Sequence, residues 1–365
     1  MSDDPSSVSL KPAIEGHLSP AERTALYQRF MDLEQKNILE LHRHGTSGIE
    51  VCRARAQLID TLLNTILQAT LNSQETPKAP LALVAIGGYG RGTLNPGSDI
   101  DILFLVPRAS GKLPKNVQEI VQQVLYPLWD MGFKVGHACR SIAECIQQAR
   151  ADQQNLTSLI DTRLISGDLE LYQKFLTAFD KNCIRKGRDA FFESRSQDLR
   201  SRHKKSSYTV FLQEPNVKES CGGLRDYQNI LWVSRVKIGS SDPKKLCDER
   251  IITSNTLKEI EEAYDFLLRV RNELHYHTGK ATDILTLQLQ GIVATAFGYP
   301  ERSILRRTES FMRDYYRHTR HLYNHTNSIM ETFQIQKETI ADSGLSSFLT
   351  FRRKKREEFD GFIAR

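Results

Sequence analysis

Ala85-Ile86-Gly87-Gly88-Tyr89-Gly90-Arg91-Gly92-Thr93-Leu94-Asn95-Pro96-Gly97-Ser98-Asp99-Ile100-Asp101-Ile102-Leu103-Phe104 is the stretch that decides the fold. An apolar run meets a glycine pair, a glycine-rich polar loop follows, and two aspartates one residue apart open a second apolar run. Strand side chains alternate faces, so Asp99 and Asp101 are expected on one side and Ile100 on the other. Neighbouring carboxylates repel unless a cation lies between them, and a hard divalent ion is the usual occupant: Mg²⁺, with Mn²⁺ an alternative. Gly87 and Gly88 leave backbone N–H groups free to approach a polyphosphate, with Arg91 and Ser98 as further donors. No Gly-Lys-Ser/Thr follows, which excludes a Walker loop, and the glycine spacing does not fit a dinucleotide fingerprint. These are the parts of a metal-dependent nucleotidyl transfer site.

Outward from this stretch, strands are predicted over Leu81 to Ile86 and Asp101 to Val106. The second is apolar on both faces beyond its aspartates, so it is expected at the centre of a sheet covered on both sides. A helix over about 114 to 130 leads to a strand from Phe133 to Arg140 and a short helix from Ser141. Upstream, residues 1 to 20 are polar and expected to be loose. Ser19-Pro20-Ala21-Glu22 then opens a helix with a Ser cap and a proline at its first position, and another helix spans about 48 to 72. Residues 21 to 170 read as one α/β unit, and from 171 to 335 the chain reads as helical. Leu257 to His277 carries apolar residues at three- and four-residue steps with Gly279 as a stop, and another helix runs from about 301 to 334. The fold class is therefore α+β: a mixed sheet flanked by helices, followed by a helical bundle. Residues 336 to 365 form a charged linker, with Arg352 to Arg356 as a solvated run.

The glycine pair with Asp-x-Asp behind it resembles the DNA polymerase β-like nucleotidyltransferase superfamily. The form Gly-Gly-Tyr-Gly-Arg-Gly, with Asn-Pro-Gly-Ser-Asp-Ile-Asp behind it, is similar more narrowly to the uridylyltransferase/uridylyl-removing enzymes of the PII nitrogen-regulatory protein. Similar blocks follow in order: Trp129-Asp130 with Val135-Gly136-His137 and Arg140, Leu164 to Asp168, and Glu214 to Glu219 with Gly222 to Asp226. Arg271-Asn272-Glu273-Leu274-His275 with Thr278-Gly279, and Phe311 to Tyr316, complete the series. The resemblance implies UTP as donor, with other nucleoside triphosphates as alternatives, a tyrosine of a PII-type protein as acceptor, and pyrophosphate as product. It implies a polymerase β-like fold and makes Lys218, Arg225 and Asp226 a second active-site segment around the Gly222-Gly223 turn. Cys221 stands where that family more often has glycine or proline. A hydrolase domain and two small ligand-binding domains follow this region in the family. Phe359 to Arg365 looks like the lead-in to the hydrolase, so a truncated chain is expected.

Composition fits a cytoplasmic enzyme. The 365 residues are 39% hydrophobic and 26% charged, enough for a sizeable core. Six cysteines lack Cys-x-x-Cys spacing, which argues against a disulfide framework or a zinc site. A net charge of +6 suits polyphosphates or an acidic partner but is too mild to argue for nucleic acid, and no apolar run is long enough for a membrane span.

Each site residue has a plainer alternative. Arg91 could pair with a carboxylate instead of a phosphate, and the Lys218–Asp226 segment could be a solvated helix start. A third carboxylate often completes the metal site in the superfamily; the strand around His137 has none, which leaves His137 itself, Asp161 or Asp226. Arg271 and His277 have the look of a helical ribonuclease site, although pairing within the bundle explains them as well. A nucleotidyltransferase with a different acceptor, whether a small molecule, RNA or another protein, shares every catalytic residue.

Overall fold

The computed structural model describes residues 8–15, 18–72, 80–108 and 113–343, with two short paired strands at Glu358–Phe359 and Phe362–Ile363. The expected charged run at 352 to 356 lies outside the described residues. A short helix α1 (Lys11–Ile14) occupies part of the segment expected to be loose, and Leu10 and Ala13 are buried. Helix α2 (Pro20–Arg43) begins with a capping box: Ser19 Oγ accepts from the Glu22 N–H, and the Glu22 carboxylate accepts from the Ser19 N–H at 2.8 Å. Helix α3 (Gly48–Asn72) follows, and then β1 (Ala82–Ile86), the one-turn helix α4 (Gly87–Gly90), β2 (Ile100–Val106), α5 (Lys115–Asp130) and β3 (Val135–Ser141). Helices α6 (Ile142–Ala151) and α7 (Gln153–Ile160) lead to β4 (Thr162–Gly167).

The four strands form a mixed sheet in the order β3-β2-β1-β4. β1 runs antiparallel to β2 and β4, while β3 lies parallel to β2. β2 is central, as its two apolar faces predict. Ile100, Ile102 and Phe104 pack with α2, α3 and α5 residues such as Met31, Leu62 and Val124 on one face. Leu103 and Leu105 face the other way, against helix α8 (Leu169–Phe179), a π-helical turn at Asp180–Arg185 and Phe191 of α9 (Arg188–Lys205). Trp232 and Val236 of α10 (Leu224–Lys237) complete that layer. Residues on both sides of position 170 therefore cover one sheet face.

A second core joins α10, α12 (Ser254–Thr278), α13 (Leu287–Ala296) and α14 (Ile304–Ser343), with the short α11 (Lys244–Asp248) at its edge. α12 ends where Gly279 takes the left-handed conformation at φ +66°, and its N–H donates to the His275 carbonyl. α12 also grips the α/β unit. A Cβ on Gly48 would lie 2.4 Å from the Arg269 backbone nitrogen, so α3 starts in direct backbone contact with α12. Buried Glu273 meets His42 Nε2 of α2 at 2.9 Å.

Candidate active site

β1 ends at Ile86, and the backbone turns at Gly87 with φ +60°, a conformation that favours glycine. The residues expected as an open loop instead coil into the single turn α4. A Cβ on Gly90 would lie 2.0 Å from the Asp161 carbonyl oxygen, so the turn is pressed onto the α7–β4 junction. Tyr89 points inward and donates to Asp60 Oδ1 at 2.6 Å. Gly87 and Gly88 then line one wall of a cleft of about 330 Å³. Their N–H groups belong to the first turn of a helix, which has no intrahelical acceptor for them.

The loop from Thr93 to Asp99 carries the chain to β2 and is held from the helical part. Asn95 is buried; its Nδ2 donates to Asn272 Oδ1 at 2.7 Å and its Oδ1 accepts from Arg271 Nη1 at 2.6 Å. The Gly97 N–H donates to His275 Nδ1 at 3.0 Å. Arg271 in turn pairs with Asp283 through Nε at 2.7 Å. Burial works against the Asp283 charge, but His275 and Arg271 hold its carboxyl well below the usual range.

Asp99, Asp101 and Ser98 line the same cleft as the glycine turn. Asp99 immediately precedes β2 and is exposed; Asp101 lies inside it and is half-buried. Among the described residues neither carboxylate accepts a hydrogen bond or forms an ion pair. Burial and the charge of Asp99 push Asp101 up to about 6, opposed by Lys218. A carboxylate pair left without a protein cation fits a divalent metal held by Asp99 and Asp101. A third carboxylate from β3 does not fit. Register places Gly136 opposite Asp101, and a Cβ there would lie 2.3 Å from Asp101 Oδ1. His137, one residue on, is exposed beside Trp129 and does not line the cleft.

Lys218 and Arg225 face this cleft from the helical side. Residues 215 to 217 pair with 283 to 285, through Val217 N–H to Asp283 O at 2.8 Å and Leu285 N–H to Pro215 O at 2.9 Å. The Asn216 side chain then accepts from the N–H groups of Lys218 and Glu219, closing the turn that presents Lys218. The Lys218 ammonium makes no hydrogen bond or ion pair among the described residues. Burial, Arg271 and Arg225 all pull its pKa down. Arg225 is held by Glu219 at 3.1 Å and Gln228 at 2.7 Å, over the Trp232 ring.

Two further residues expected at this cleft, Asp226 and Arg91, are engaged within the protein. Asp226 does not line the cleft: it is fully buried and takes hydrogen bonds from Arg202 at 2.9 Å and the Gly222 N–H at 2.8 Å, with His203 Nε2 also at 2.8 Å. It braces the turn from behind, and its neighbour Cys221 is buried too, with Sγ 3.8 Å from the His203 carbonyl. Arg91 does line the cleft, but its guanidinium pairs with buried Asp161, which also accepts from Trp232 Nε1 at 2.7 Å. Asp161, expected as a candidate third ligand, is committed to these two partners. Arg91 acts as the tether of the glycine turn.

Parts of the chain are similar to known proteins. Residues 69–151 match the family model described as a nucleotidyltransferase domain, and residues 190–330 match that of GlnD PII-uridylyltransferase. A bifunctional uridylyltransferase/uridylyl-removing enzyme from Phenylobacterium zucineum (strain HLK1) is 32% identical over 322 residues. These matches support the PII-uridylyltransferase family for this chain. The aligned part is 87% of this chain but 34% of that relative, so the chain spans about a third of its length.

Within this PII-uridylyltransferase framework the Arg271-Asn272-Glu273-Leu274-His275 block has a clear task. Arg271, Asn272 and His275 clamp the loop before the aspartates, and Glu273 holds α2. The ribonuclease alternative has no geometry behind it, because His277 is exposed and does not line the cleft with Arg271. Sequence reasoning missed Arg271, Asp283 and Trp232 as cleft-lining residues. The similar block around Arg271 was the available signal; nothing local marks Asp283 or Trp232.

Proposed function

We propose that this chain transfers UMP from UTP to a tyrosine of a PII-type signalling protein, with Mg²⁺ at Asp99 and Asp101. The observation that carries the reading is the pair of uncommitted carboxylates beside the glycine turn, with the uncommitted Lys218 ammonium facing them. When bound, the cation supplies neutralisation of the charge that develops on the α-phosphate. The Gly87–Gly88 backbone and Ser98 orient the phosphates, and Lys218 and Arg225 hold the triphosphate from the opposite wall. The acceptor oxygen forms a bond to the α-phosphorus as the bond to the β-phosphate bridge breaks. Pyrophosphate leaves with that electron pair, and the hydroxyl proton is released. Positioning and electrostatics account for most of the acceleration. The choice of uracil and of a PII acceptor rests on the family, because no base-reading residue stands out in the cleft.

The test incubates the chain with each labelled nucleoside triphosphate, Mg²⁺ and a PII-type acceptor, and reads which nucleotide becomes covalently attached. UMP on a tyrosine with release of pyrophosphate is the expected result. Preference for another base moves the chain to a different specificity. Calorimetric affinity for nucleotide that is unchanged by excess chelator overturns the metal assignment.

A further inference from the structure

Behind the loop that carries the aspartates lies a second cavity of about 310 Å³. Gln35 and Lys36 of α2, Arg55 of α3, Pro96 and Gly97 of the loop, and Tyr276 of α12 form much of its wall. It shares no lining residue with the cleft, and no carboxylate lines it. Asn95 and Ser98 face the cleft while Pro96 and Gly97 face this cavity, so a single stretch of loop separates the two.

Arg55 is the unusual group here. It is 7% exposed, yet among the described residues it makes no hydrogen bond and no ion pair, and its Nε is sealed from solvent with no acceptor. Its ionisable neighbours include the Tyr276 phenol and the Cys52 thiol. Burial pushes both up to about 12, which keeps them neutral and useless as counter-ions. Buried arginines are ordinarily paired, because an uncompensated charge in a low-dielectric site is costly. Among the described residues the Gln35 amide and Lys36 ammonium are also uncommitted. A guanidinium fork, an amide and an ammonium around a small cavity without acidic groups match one ligand chemistry.

We propose that this cavity is a binding site for a small anion bearing a carboxylate or phosphate group, held by Arg55 with Lys36 and Gln35 at the rim. The site is independent of the nucleotide cleft and does not rest on the transfer reaction.

Calorimetry and thermal unfolding of the full chain with inorganic phosphate, and separately with succinate, test this at an ionic strength matched with chloride. A saturable affinity and a rise in Tm beyond the chloride control are expected for at least one probe, and the two arms tell phosphate from carboxylate. Arg55→Met should weaken that affinity about tenfold or more, and in chloride alone it should unfold no earlier than the parent, since it removes an uncompensated charge. Lys36→Ala, an exposed change that leaves the core intact, should weaken binding severalfold and serves if Arg55→Met does not fold. Lys218→Ala should leave the effect in place, which separates this cavity from phosphate binding in the cleft. No saturable effect with either probe, an affinity unchanged by Arg55→Met or Lys36→Ala, or an effect lost in Lys218→Ala overturns the assignment.

Discussion

The two sides of the Asn95–Ser98 loop are electrostatic opposites. Among the described residues, Asp99 and Asp101 on the cleft side stand without a protein cation, and Arg55 on the cavity side stands without a protein anion. Nearby charges of the same types are paired: Arg91 with Asp161, and Asp226 with Arg202, His203 and the Gly222 N–H. The difference separates charges committed to the fold from charges left over for the proposed ligands. A matched buried pair is a structural element; a buried or half-buried charge without a partner is sustained by what it binds.

The largest effect that can break this comparison is on stability. Asp226→Ala leaves Arg202 and His203 facing a void in the core and should destabilise the protein by about 3 kcal/mol, read as a shift in denaturant midpoint at unchanged slope. A change of less than about 1 kcal/mol would place Asp226 among the ligand-facing groups after all.

Asp101→Ala should do the reverse. Transfer, followed by pyrophosphate release, should fall at least ~10²-fold while the fold survives. Retained activity at the parental rate would remove Asp101 from the site.

Lys218→Ala and Arg225→Ala sharpen the picture on the opposite wall. Both should weaken nucleotide binding in calorimetry, Lys218→Ala by about tenfold, because its ammonium has no protein partner, and Arg225→Ala by less, because Glu219 and Gln228 already hold it. Stability should change by less than about 0.5 kcal/mol for Lys218→Ala. Equal losses for the two would show that prior pairing does not decide which cation serves the ligand.

The smallest effect concerns pH. Asp101 is pushed up to about 6 in the fold, chiefly by burial and then by Asp99, against 3.8 for the ordinary carboxyl. The folded state therefore holds the Asp101 proton more tightly than the unfolded chain, and stability in chelator should fall as pH rises through that window. Asp101→Asn should be more stable than the parent at pH 7 by about 1 kcal/mol after solvent screening, and show little difference near pH 4. Added divalent cation should close the gap. A variant less stable than the parent at pH 7 would contradict the strain assigned to the pair.

Much of the fold was legible in local pattern. The capping boxes at Ser19–Glu22 and Ser141–Glu144, the stop at Gly279 and the two-faced apolar run of β2 all depend on residues a few positions apart. The aspartate pair was legible for the same reason, since strand alternation alone puts Asp99 and Asp101 on one side. The glycine turn was legible in composition but not in shape: Gly87 supplies the positive φ, whereas Gly90 is required by the backbone of Asp161, which no nearby residue announces.

The sequence by itself determined where α2, α3, β1, β2, α5 and α12 lie, that a carboxylate pair opens the central strand, and that a glycine-rich segment precedes it. Those features follow from short-range backbone geometry and side-chain periodicity. Only the tertiary structure decided which charges are matched. Asp161 and Asp226 are as acidic in sequence as Asp101, and Arg55 is as basic as Lys218, yet their roles depend on partners from other elements brought within about 3 Å. Arg91 meets Asp161 from 70 positions away, Asn95 meets Asn272 from 177, and Gly136 meets Asp101 only through strand register. Charge compensation acts through space in a low-dielectric interior, so it is fixed by packing and not by order along the chain.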